Sequence, residues 1–240
     1  MDLIITSRMA SSRLPGKALK EVIGFGKMLE ILINRAKFSN QIDRVIIATT
    51  TLESDDVLVE WAKSKKYNFF RGSENNVLQR LIDTCTFFNI TDFIEILGDN
   101  PFVDPGVINK CIETYKVKNL RYVATMTKEY KYADLKFCYP IGIRVQIISL
   151  GMLEFINNNI SDKYQREHAT SYLYDKPKLE GVELVRNELH HDKIDFSNWN
   201  YAVNDIDGFN NMSFILSKLG MNFSWTDMVR LSHEVKMFET

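Results

Sequence analysis

Short apolar segments alternate with amphipathic helical patterns through the first hundred residues of the chain. The segments typical of buried strands are residues 3–6, 45–49, 68–70 and 93–97, and helical stripes occupy 28–36, 57–62 and 77–88. Candidate helix starts stand at Ser54, at Asn75 or Asn76, and at Asp104 before Pro105. Strands separated by helices predict a parallel sheet with right-handed crossovers and helices on both faces, an α/β fold.

The second half of the chain is less regular. Strands are predicted at 122–126, 141–148, 182–185 and 201–206, and helices at 150–158, 209–219 and 226–238. With five prolines and eleven glycines, the chain contains no segment that resembles a linker. We therefore expect a single domain over residues 1–240, with an inserted excursion around residues 127–180.

Charge and composition narrow the possible partners. Thirty basic residues against 31 acidic ones leave a formal net charge of −1, so nothing global favours binding to nucleic acid or to an anionic membrane. We expect a cytoplasmic protein for three reasons. Its three cysteines are scattered, and its N-terminus does not resemble a signal peptide. It also contains no apolar run near the ~20 residues that a membrane span needs. The His190–His191 pair is expected at the surface rather than in a zinc site.

The loop after the first predicted strand is locally basic. Between Leu3 and Lys20 the chain carries four basic residues and no acid. Ligands of open parallel sheets bind at the carboxyl ends of strands, where this loop lies. Hydroxyl groups of Ser11 and Ser12, the planar fork of Arg13 and the mobile ammonium of Lys17 suit a triphosphate, although the loop matches neither a Walker A motif nor GxGxxG. A solvated basic loop is the competing interpretation, and the position after a strand favours the ligand site.

Carboxylates occupy two further places where they could hold a cation. Asp99 follows the predicted strand 93–97, with Gly98 allowing close backbone approach, and such a carboxylate can hold Mg²⁺ or simply cap a turn. Asp205 and Asp207 would share one side of the chain if 201–206 continued as a strand. Two carboxylates on one side favour a cation.

Residues 8–19, RMASSRLPGKAL, resemble the R-x-x-S-[ST]-R-L-P-G-K-x-L signature of sugar cytidylyltransferases. These include the 3-deoxy-manno-octulosonate and acylneuraminate cytidylyltransferases and the spore-coat polysaccharide biosynthesis cytidylyltransferase-like proteins. Four further segments are similar to family motifs in the same order: FRGSENNVL at 70–78, GDNPFVDP at 98–105, YPIG at 139–142 and REHAT at 166–170.

The resemblance implies a Rossmann-like, three-layer nucleotide-diphospho-sugar transferase fold with a mainly parallel mixed sheet. It implies an Mg²⁺-dependent enzyme that transfers CMP from CTP to an acidic sugar, an ulosonic acid or a sugar phosphate, with release of pyrophosphate in the synthesis of surface polysaccharide precursors. It also implies a homodimer. Which sugar is activated, and the choice of CTP over another nucleotide, are not specified by individual residues.

The resemblance also assigns roles to residues. Nucleotide binding is expected from Arg8, Ala10, Ser11, Ser12, Arg13, Lys17, Arg71, Ser73 and Asp99, with Arg8, Arg13 and Lys17 catalytic. Substrate binding is expected from Tyr139, Gly142, Arg144, Arg166, Glu167 and His168. The metal is expected on Asp99 and Asp207, with Asp205 as accessory.

The second acidic motif departs from the family pattern V-D-T-P-E-D-L across residues 204–211. One alignment places Asp207 at the metal position, and an alignment shifted by three residues places Asn204 there; we prefer Asp207. The altered motif leaves open a catalytically silent nucleotide-binding homologue. A glycosyltransferase that uses a nucleotide-sugar also stays open, because the same nucleotide-binding architecture serves such donors.

Overall fold

The computed structural model describes residues 1–176, 179–189 and 196–237, so that His190 and His191 lie outside the described residues. Its strands are β1 (Asp2–Thr6), β2 (Glu21–Val22), β3 (Gly26–Lys27), β4 (Val45–Thr50), β5 (Asn68–Gly72), β6 (Asp92–Leu97), β7 (Tyr122–Thr125), β8 (Gln146–Ser149) and β9 (Val182–Val185). Its α-helices are α1 (Met28–Ala36), α2 (Asp56–Ser64), α3 (Val77–Phe88), α4 (Pro105–Val117), α5 (Leu150–Asn159), α6 (Lys163–Glu167), α7 (Ile206–Leu219) and α8 (Trp225–Glu234). In the described ranges, no helix has the length and hydropathy needed to cross a membrane.

Seven strands form one mixed sheet in the order β5-β4-β1-β6-β8-β7-β9, and β2 and β3 form a small separate hairpin. The pairs β5–β4, β4–β1, β1–β6 and β7–β9 are parallel. Strand β8 runs antiparallel to both of its neighbours, β6 and β7. The predicted α/β fold with a mainly parallel mixed sheet is therefore confirmed.

Helices cover both faces of the sheet. Leu3 and Ile5 of β1 belong to the core beneath α1, α2, α4, α7 and α8, whereas Ile4 belongs to the opposite core beneath α3 and α5. Because successive side chains of a strand point to opposite faces, a strand buried on both faces is continuously apolar. This is why β1, β4 and β6 are evident in the sequence.

Two strand predictions in the second half are wrong: one strand is shorter than predicted, and the other segment is not a strand. The segment predicted at 141–148 forms a strand only from Gln146, and its start makes an isolated bridge between Ile141 and Asn200. The segment predicted at 201–206 is not a strand, because Asp205 is the N-cap of α7 and its carboxylate accepts a hydrogen bond from Gly208 N at 2.9 Å. The β2–β3 hairpin and α6 were not predicted.

Helix starts were predicted with mixed success. Asn76 and Asp104 cap α3 and α4, with Pro105 in the first turn of α4. Ser54 does not begin α2; it lies in a 3₁₀ turn at Glu53–Asp55, and α2 starts at Asp56.

The chain reverses its direction across the sheet next to β1. From β1 the strands proceed through β4 to β5, and the chain then returns to form β6 on the other side of β1. Gly98, just after β6, donates its N–H to Thr6 O at 2.9 Å, and a Cβ on Gly98 would lie 2.8 Å from the side chain of Ser7. Only glycine lets the two strand ends approach so closely, at the crevice where open α/β sheets bind their ligands.

Candidate functional site

The loop after β1, here called the cradle loop (residues 7–17), is folded around one carbonyl group. The main-chain oxygen of Met9 accepts hydrogen bonds from Ser11 N at 3.0 Å and from Gly16 N at 2.9 Å. The Ser11 hydroxyl accepts a further bond from Leu14 N at 3.4 Å. These bonds close the loop into a compact turn that carries its basic side chains on a defined backbone.

A cavity of about 770 Å³, here called the cradle cavity, opens beside this loop at the ends of β1 and β6. Seven of the nine residues predicted to bind nucleotide line it: Arg8, Ala10, Ser11, Ser12, Arg13, Lys17 and Asp99. Among the described residues, its charged lining consists of the cations Arg8, Arg13, Lys17 and Arg80 and the carboxylates Glu74, Asp99 and Glu167. A cavity of this size with several guanidinium and ammonium groups suits a chain of phosphates.

Lys17 links the end of β6 to the segment before α7. Its Nζ donates to the main-chain oxygen of Val203 at 2.7 Å and lies 3.3 Å from Oδ2 of Asp99. The Lys17 side chain is only 14% exposed, whereas a mobile ammonium group was predicted from the sequence. Its ammonium group is therefore positioned before any ligand binds.

Arg8 crosses the mouth of the cradle cavity. Its guanidinium lies 3.7 Å from a Glu74 oxygen and 3.5 Å from a Glu167 oxygen. Both distances exceed those of a good charge-assisted hydrogen bond, and the Arg8 side chain is more than a third exposed. A phosphate group can therefore compete with these carboxylates for the Arg8 guanidinium.

Arg80 on α3 supplies a cation that sequence analysis missed. It is buried, and its Nη1 donates to Ser73 O at 2.6 Å. Burial lowers the pKa of Arg80 to about 10, so that the guanidinium stays protonated at neutral pH. The sequence does contain a signal for this role. Arg80 stands three positions after Val77, so a charged residue falls on the apolar stripe of the helix.

A second cavity of about 320 Å³, here called the inner cavity, adjoins the first. The residues that line both cavities are Val77, Leu97, Asp99, Glu167, His168 and Asn204. Four of the six predicted substrate residues line the inner cavity: Gly142, Arg144, Glu167 and His168. The two cavities thus form one continuous site with Asp99 between them.

Arg144 lies in the wall of the inner cavity and is almost fully buried. Its Nη1 lies 2.6 Å from a Glu129 oxygen, and its Nη2 donates to Thr170 Oγ1 at 3.1 Å and to Gln146 Oε1 at 3.2 Å. The guanidinium is therefore held in one orientation, and the Glu129 side chain that neutralises it is 43% exposed. A substrate anion could displace that exposed carboxylate from Arg144.

Glu95 lies in the same wall, in the middle of β6. Its Oε2 accepts a hydrogen bond from Gln146 Nε2 at 3.1 Å. Complete burial raises the pKa of this carboxyl, and the nearby cations of Arg144 and Arg80 oppose the shift. The inner cavity thus presents polar side chains that are fixed by their own hydrogen bonds.

The structure places two predicted nucleotide-binding residues outside the cradle cavity. Arg71 donates to the main-chain oxygens of Thr50 and Leu52 and forms an ion pair with Asp56 at 2.6 Å. Ser73 accepts a hydrogen bond from Asn76 N at 3.1 Å. Arg71 therefore holds the loop after β4, and Ser73 holds the turn that leads into α3.

Two predicted substrate residues also lie outside the inner cavity. Tyr139 is buried, packs at a tilt against Trp225 with ring centroids 5.1 Å apart, and lines a different cavity near the start of α4. Arg166 donates to Asn157 Oδ1 at 3.1 Å. In the same motifs, Gly142 and His168 do reach the inner cavity.

Of the predicted metal ligands, only Asp99 lines the cavities. Asp205 is engaged in capping α7, and Asp207 lies in the first turn of that helix, so neither shares a strand face with the other. Asn204, the alternative candidate, lines both cavities together with Asp99. Within the described ranges, no group of three or more His, Cys, Asp or Glu side chains gathers into a metal cluster. One carboxylate and one amide oxygen nevertheless suit Mg²⁺, which usually completes its octahedron with phosphate and water.

The chain is similar to known proteins along most of its length. The family model described as cytidylyltransferase matches residues 3–199. The chain belongs to the cytidylyltransferase family. It is 31% identical over 188 residues to the spore coat polysaccharide biosynthesis protein SpsF of Bacillus subtilis, covering 76% of this chain and 73% of that protein. It is 27% identical over 185 residues to a 3-deoxy-manno-octulosonate cytidylyltransferase of Saccharophagus degradans, covering 75% of this chain and 70% of that protein.

A solved structure shares the fold across nearly the whole chain. The cytidylyltransferase of Leptospira borgpetersenii superimposes with a TM-score of 0.83 at 24% identity, covering 98% of this chain and 94% of the other. The predicted family, fold class and enzyme class, a nucleotidyltransferase, are therefore confirmed.

Proposed function

We propose that this cytidylyltransferase transfers CMP from CTP to a sugar acid and releases pyrophosphate, in the synthesis of a surface polysaccharide precursor. The observation that carries the proposal is the junction of the two cavities: a basic cradle cavity meets a polar inner cavity at Asp99 and Asn204. The names of two relatives, a spore coat polysaccharide protein and a 3-deoxy-manno-octulosonate cytidylyltransferase, support the substrate class.

In this proposal the triphosphate lies in the cradle cavity and the sugar acid in the inner cavity. A hydroxyl oxygen of the acceptor bonds to the α-phosphorus of CTP, and the bond from that phosphorus to the oxygen bridging to the β-phosphate breaks. The hydroxyl proton passes to water, and pyrophosphate leaves. Such chemistry depends mainly on alignment and on neutralising charge, so it needs no nucleophilic side chain.

Each cation has a defined task. Arg13, exposed at the turn of the cradle loop, binds phosphate oxygens as a planar fork. Lys17 neutralises charge on the departing pyrophosphate from its fixed position beside Asp99. Arg8 pairs with the phosphate chain in place of Glu74 and Glu167.

Asp99 and Asn204 would together hold Mg²⁺, which when bound neutralises phosphate charge. The carboxylate of the sugar acid pairs with Arg144, from which the exposed Glu129 side chain is displaced. His168, which lines both cavities, would hydrogen-bond to the sugar near its junction with the nucleotide.

A screen for pyrophosphate tests the proposal. The purified protein is incubated with each of the four ribonucleoside triphosphates and a panel of ulosonic acids and sugar phosphates, with Mg²⁺ or with a chelator. We expect pyrophosphate only from CTP with Mg²⁺ and one class of sugar acid. Sugar transfer from an added nucleotide-sugar, with no release of pyrophosphate, would instead identify a glycosyltransferase.

A catalytically silent homologue is the second candidate, and the amide of Asn204 beside Asp99 is the observation that favours it. Such a protein would bind CTP equally well with and without Mg²⁺ and release no pyrophosphate from any acceptor. Binding of CTP that tightens with Mg²⁺ contradicts it, and so does turnover by the parent protein.

A further inference from the structure

A buried carboxylate lies directly beneath the cradle loop. Asp55 has no solvent exposure, and its Oδ1 accepts a hydrogen bond from Met9 N at 2.7 Å. Its Oδ2 accepts bonds from Thr49 Oγ1 at 2.9 Å and from Thr50 N at 3.1 Å, and the Thr50 hydroxyl donates to the same oxygen. One oxygen of Asp55 thus holds the end of β4, and the other holds the cradle loop.

Met9 is the residue through which the cradle loop is closed. Its carbonyl oxygen accepts hydrogen bonds from Ser11 N and Gly16 N, and its own N–H donates to Asp55. The peptide plane between Arg8 and Met9 is therefore fixed from below while the turn above it is closed on the same residue. A change at Asp55 would reach Arg8 and Ser11 without any direct contact between them and Asp55.

Helix capping does not explain the placement of Asp55. It occupies the N-cap position of α2, yet its side chain makes no capping hydrogen bond to that helix. A buried carboxylate is unfavourable unless hydrogen bonds and nearby cations compensate it. The charge of Arg80 acts on Asp55 from a distance, and a main-chain donor 46 positions earlier in the chain contributes one of the hydrogen bonds. The carboxylate is thus committed to joining β4 to the cradle loop.

We propose that Asp55 is the positioning residue of the cradle loop, which sets the backbone path from Arg8 to Gly16 and through it the affinity for the triphosphate. The catalytic consequence rests on the proposed function, because it requires that the cradle cavity binds the nucleotide. The structural half, an anchored loop, does not require it. The two halves are tested by different measurements.

Asp55→Asn is the informative variant. A single amide oxygen can serve the donors of Thr49 and Thr50 or the N–H of Met9, but not both, and an amide NH₂ facing Met9 N places two donors together. We expect amide exchange at Met9, Ser11 and Gly16 to become about tenfold faster, since the bond to a charged acceptor is lost. We expect KM for CTP to rise about tenfold, with KM for the sugar acid changed less than about twofold.

Thr49→Val is the matched control. It removes one hydrogen bond from the same carboxylate and keeps the side-chain shape, yet it leaves the link from Asp55 to Met9 in place. We expect it to lower stability while exchange in the cradle loop and KM for CTP stay within about twofold of the parent. If Thr49→Val raised KM for CTP as much as Asp55→Asn did, the role of Asp55 would be general stability and the proposal would be overturned.

The parent protein supplies a second test that does not depend on the folding of a variant. In the absence of ligand, the Met9 amide should exchange at least about a hundredfold more slowly than an unprotected amide of the same sequence. Exchange near the unprotected rate would overturn the anchored loop. A slow Met9 amide in a protein that does not use CTP would uphold the anchor and refute the proposed function alone.

Discussion

Replacing Lys17 with alanine removes a side chain that joins Asp99, Val203 and the cradle cavity. The parent ammonium donates to the main-chain oxygen of Val203 at 2.7 Å and lies 3.3 Å from the Asp99 carboxylate. In the proposed reaction the same group neutralises charge that develops on the departing pyrophosphate. The variant therefore loses both a tether within the folded chain and a stabilising contact in the transition state.

The two losses have different sizes. A hydrogen bond from a charged donor contributes about 1.5–3 kcal/mol, and the partly exposed pair with Asp99 adds under about 1 kcal/mol. We therefore expect Lys17→Ala to lower the free energy of unfolding by about 2 kcal/mol. Loss of one fixed charge-stabilising donor typically lowers kcat by about 10²–10³-fold, so kcat should fall by that factor.

Pyrophosphate release at saturating CTP and urea unfolding of the same preparations measure these two quantities. Lys20→Ala is the matched control, because it removes the same charge three residues later, where the ammonium lies 5.1 Å from the centre of the Phe209 ring and lines neither cavity. The control should keep kcat within about twofold of the parent, since its charge lies outside the site. A Lys17→Ala enzyme within about threefold of the parent, or equal losses in both variants, would refute the assigned role.

Three further predictions follow from single positions. Burial raises the pKa of Glu95 above its ordinary value of about 4.5. The folded protein therefore loses stability as pH rises from about 4.5 through the folded-state pKa of this carboxyl. Glu95→Gln should raise the urea midpoint at pH 8 and leave it nearly unchanged at pH 4. If the urea midpoints of Glu95→Gln and the parent differed by the same amount at pH 4 and at pH 8, the raised pKa of Glu95 would be contradicted. Asn204→Asp adds a second carboxylate beside Asp99. In a metal titration, the Mg²⁺ concentration that gives half-maximal turnover should fall by about tenfold. If this concentration did not change, Asn204 would lie outside the metal site. Gly142→Ala should lower the free energy of unfolding by more than about 2 kcal/mol in chemical denaturation, because φ is +95° and the new Cβ would lie 2.5 Å from Ala202 N; parent-like stability would show that this backbone can move.

The sequence was most informative where local pattern alone determines structure. Strands β1, β4 and β6 are buried on both faces, so their apolar runs mark them directly. The carboxyl end of a parallel strand is a ligand site by topology, which pointed to the cradle loop, and the family motifs then assigned roles to its residues and to Asp99.

Sequence-based predictions were wrong where neighbouring residues of one segment make different kinds of contact. Arg71 lies in a family motif, but at the end of β5 its guanidinium bonds to the loop after β4, a contact that only the tertiary structure specifies. The segment 201–206 begins with an apolar run typical of a strand, although Asp205 with Gly208 three residues later forms a helix N-cap. That local signal, given more weight, would have favoured Asn204 over Asp207.

Gly142, Arg144, Glu167 and His168 were predicted for the inner cavity, but the residues that pack around Arg144 were not. Glu95 comes from β6, Gln146 from β8, Glu129 from the loop after β7 and Thr170 from the segment after α6. The antiparallel insertion of β8 between β6 and β7 brings these distant residues together. The polar Glu95 inside an apolar strand was the one visible signal, since buried acids are rare without partners.

Phosphorus NMR of the complete reaction tests most directly whether the α-phosphorus of CTP is transferred to a sugar acid. With enzyme, CTP, Mg²⁺ and the acceptor found in the screen, we expect the three CTP resonances to decline together while a phosphodiester resonance and pyrophosphate appear in equal amounts. Formation of CDP and orthophosphate, or of pyrophosphate with free CMP and no diester, would contradict transfer to a sugar.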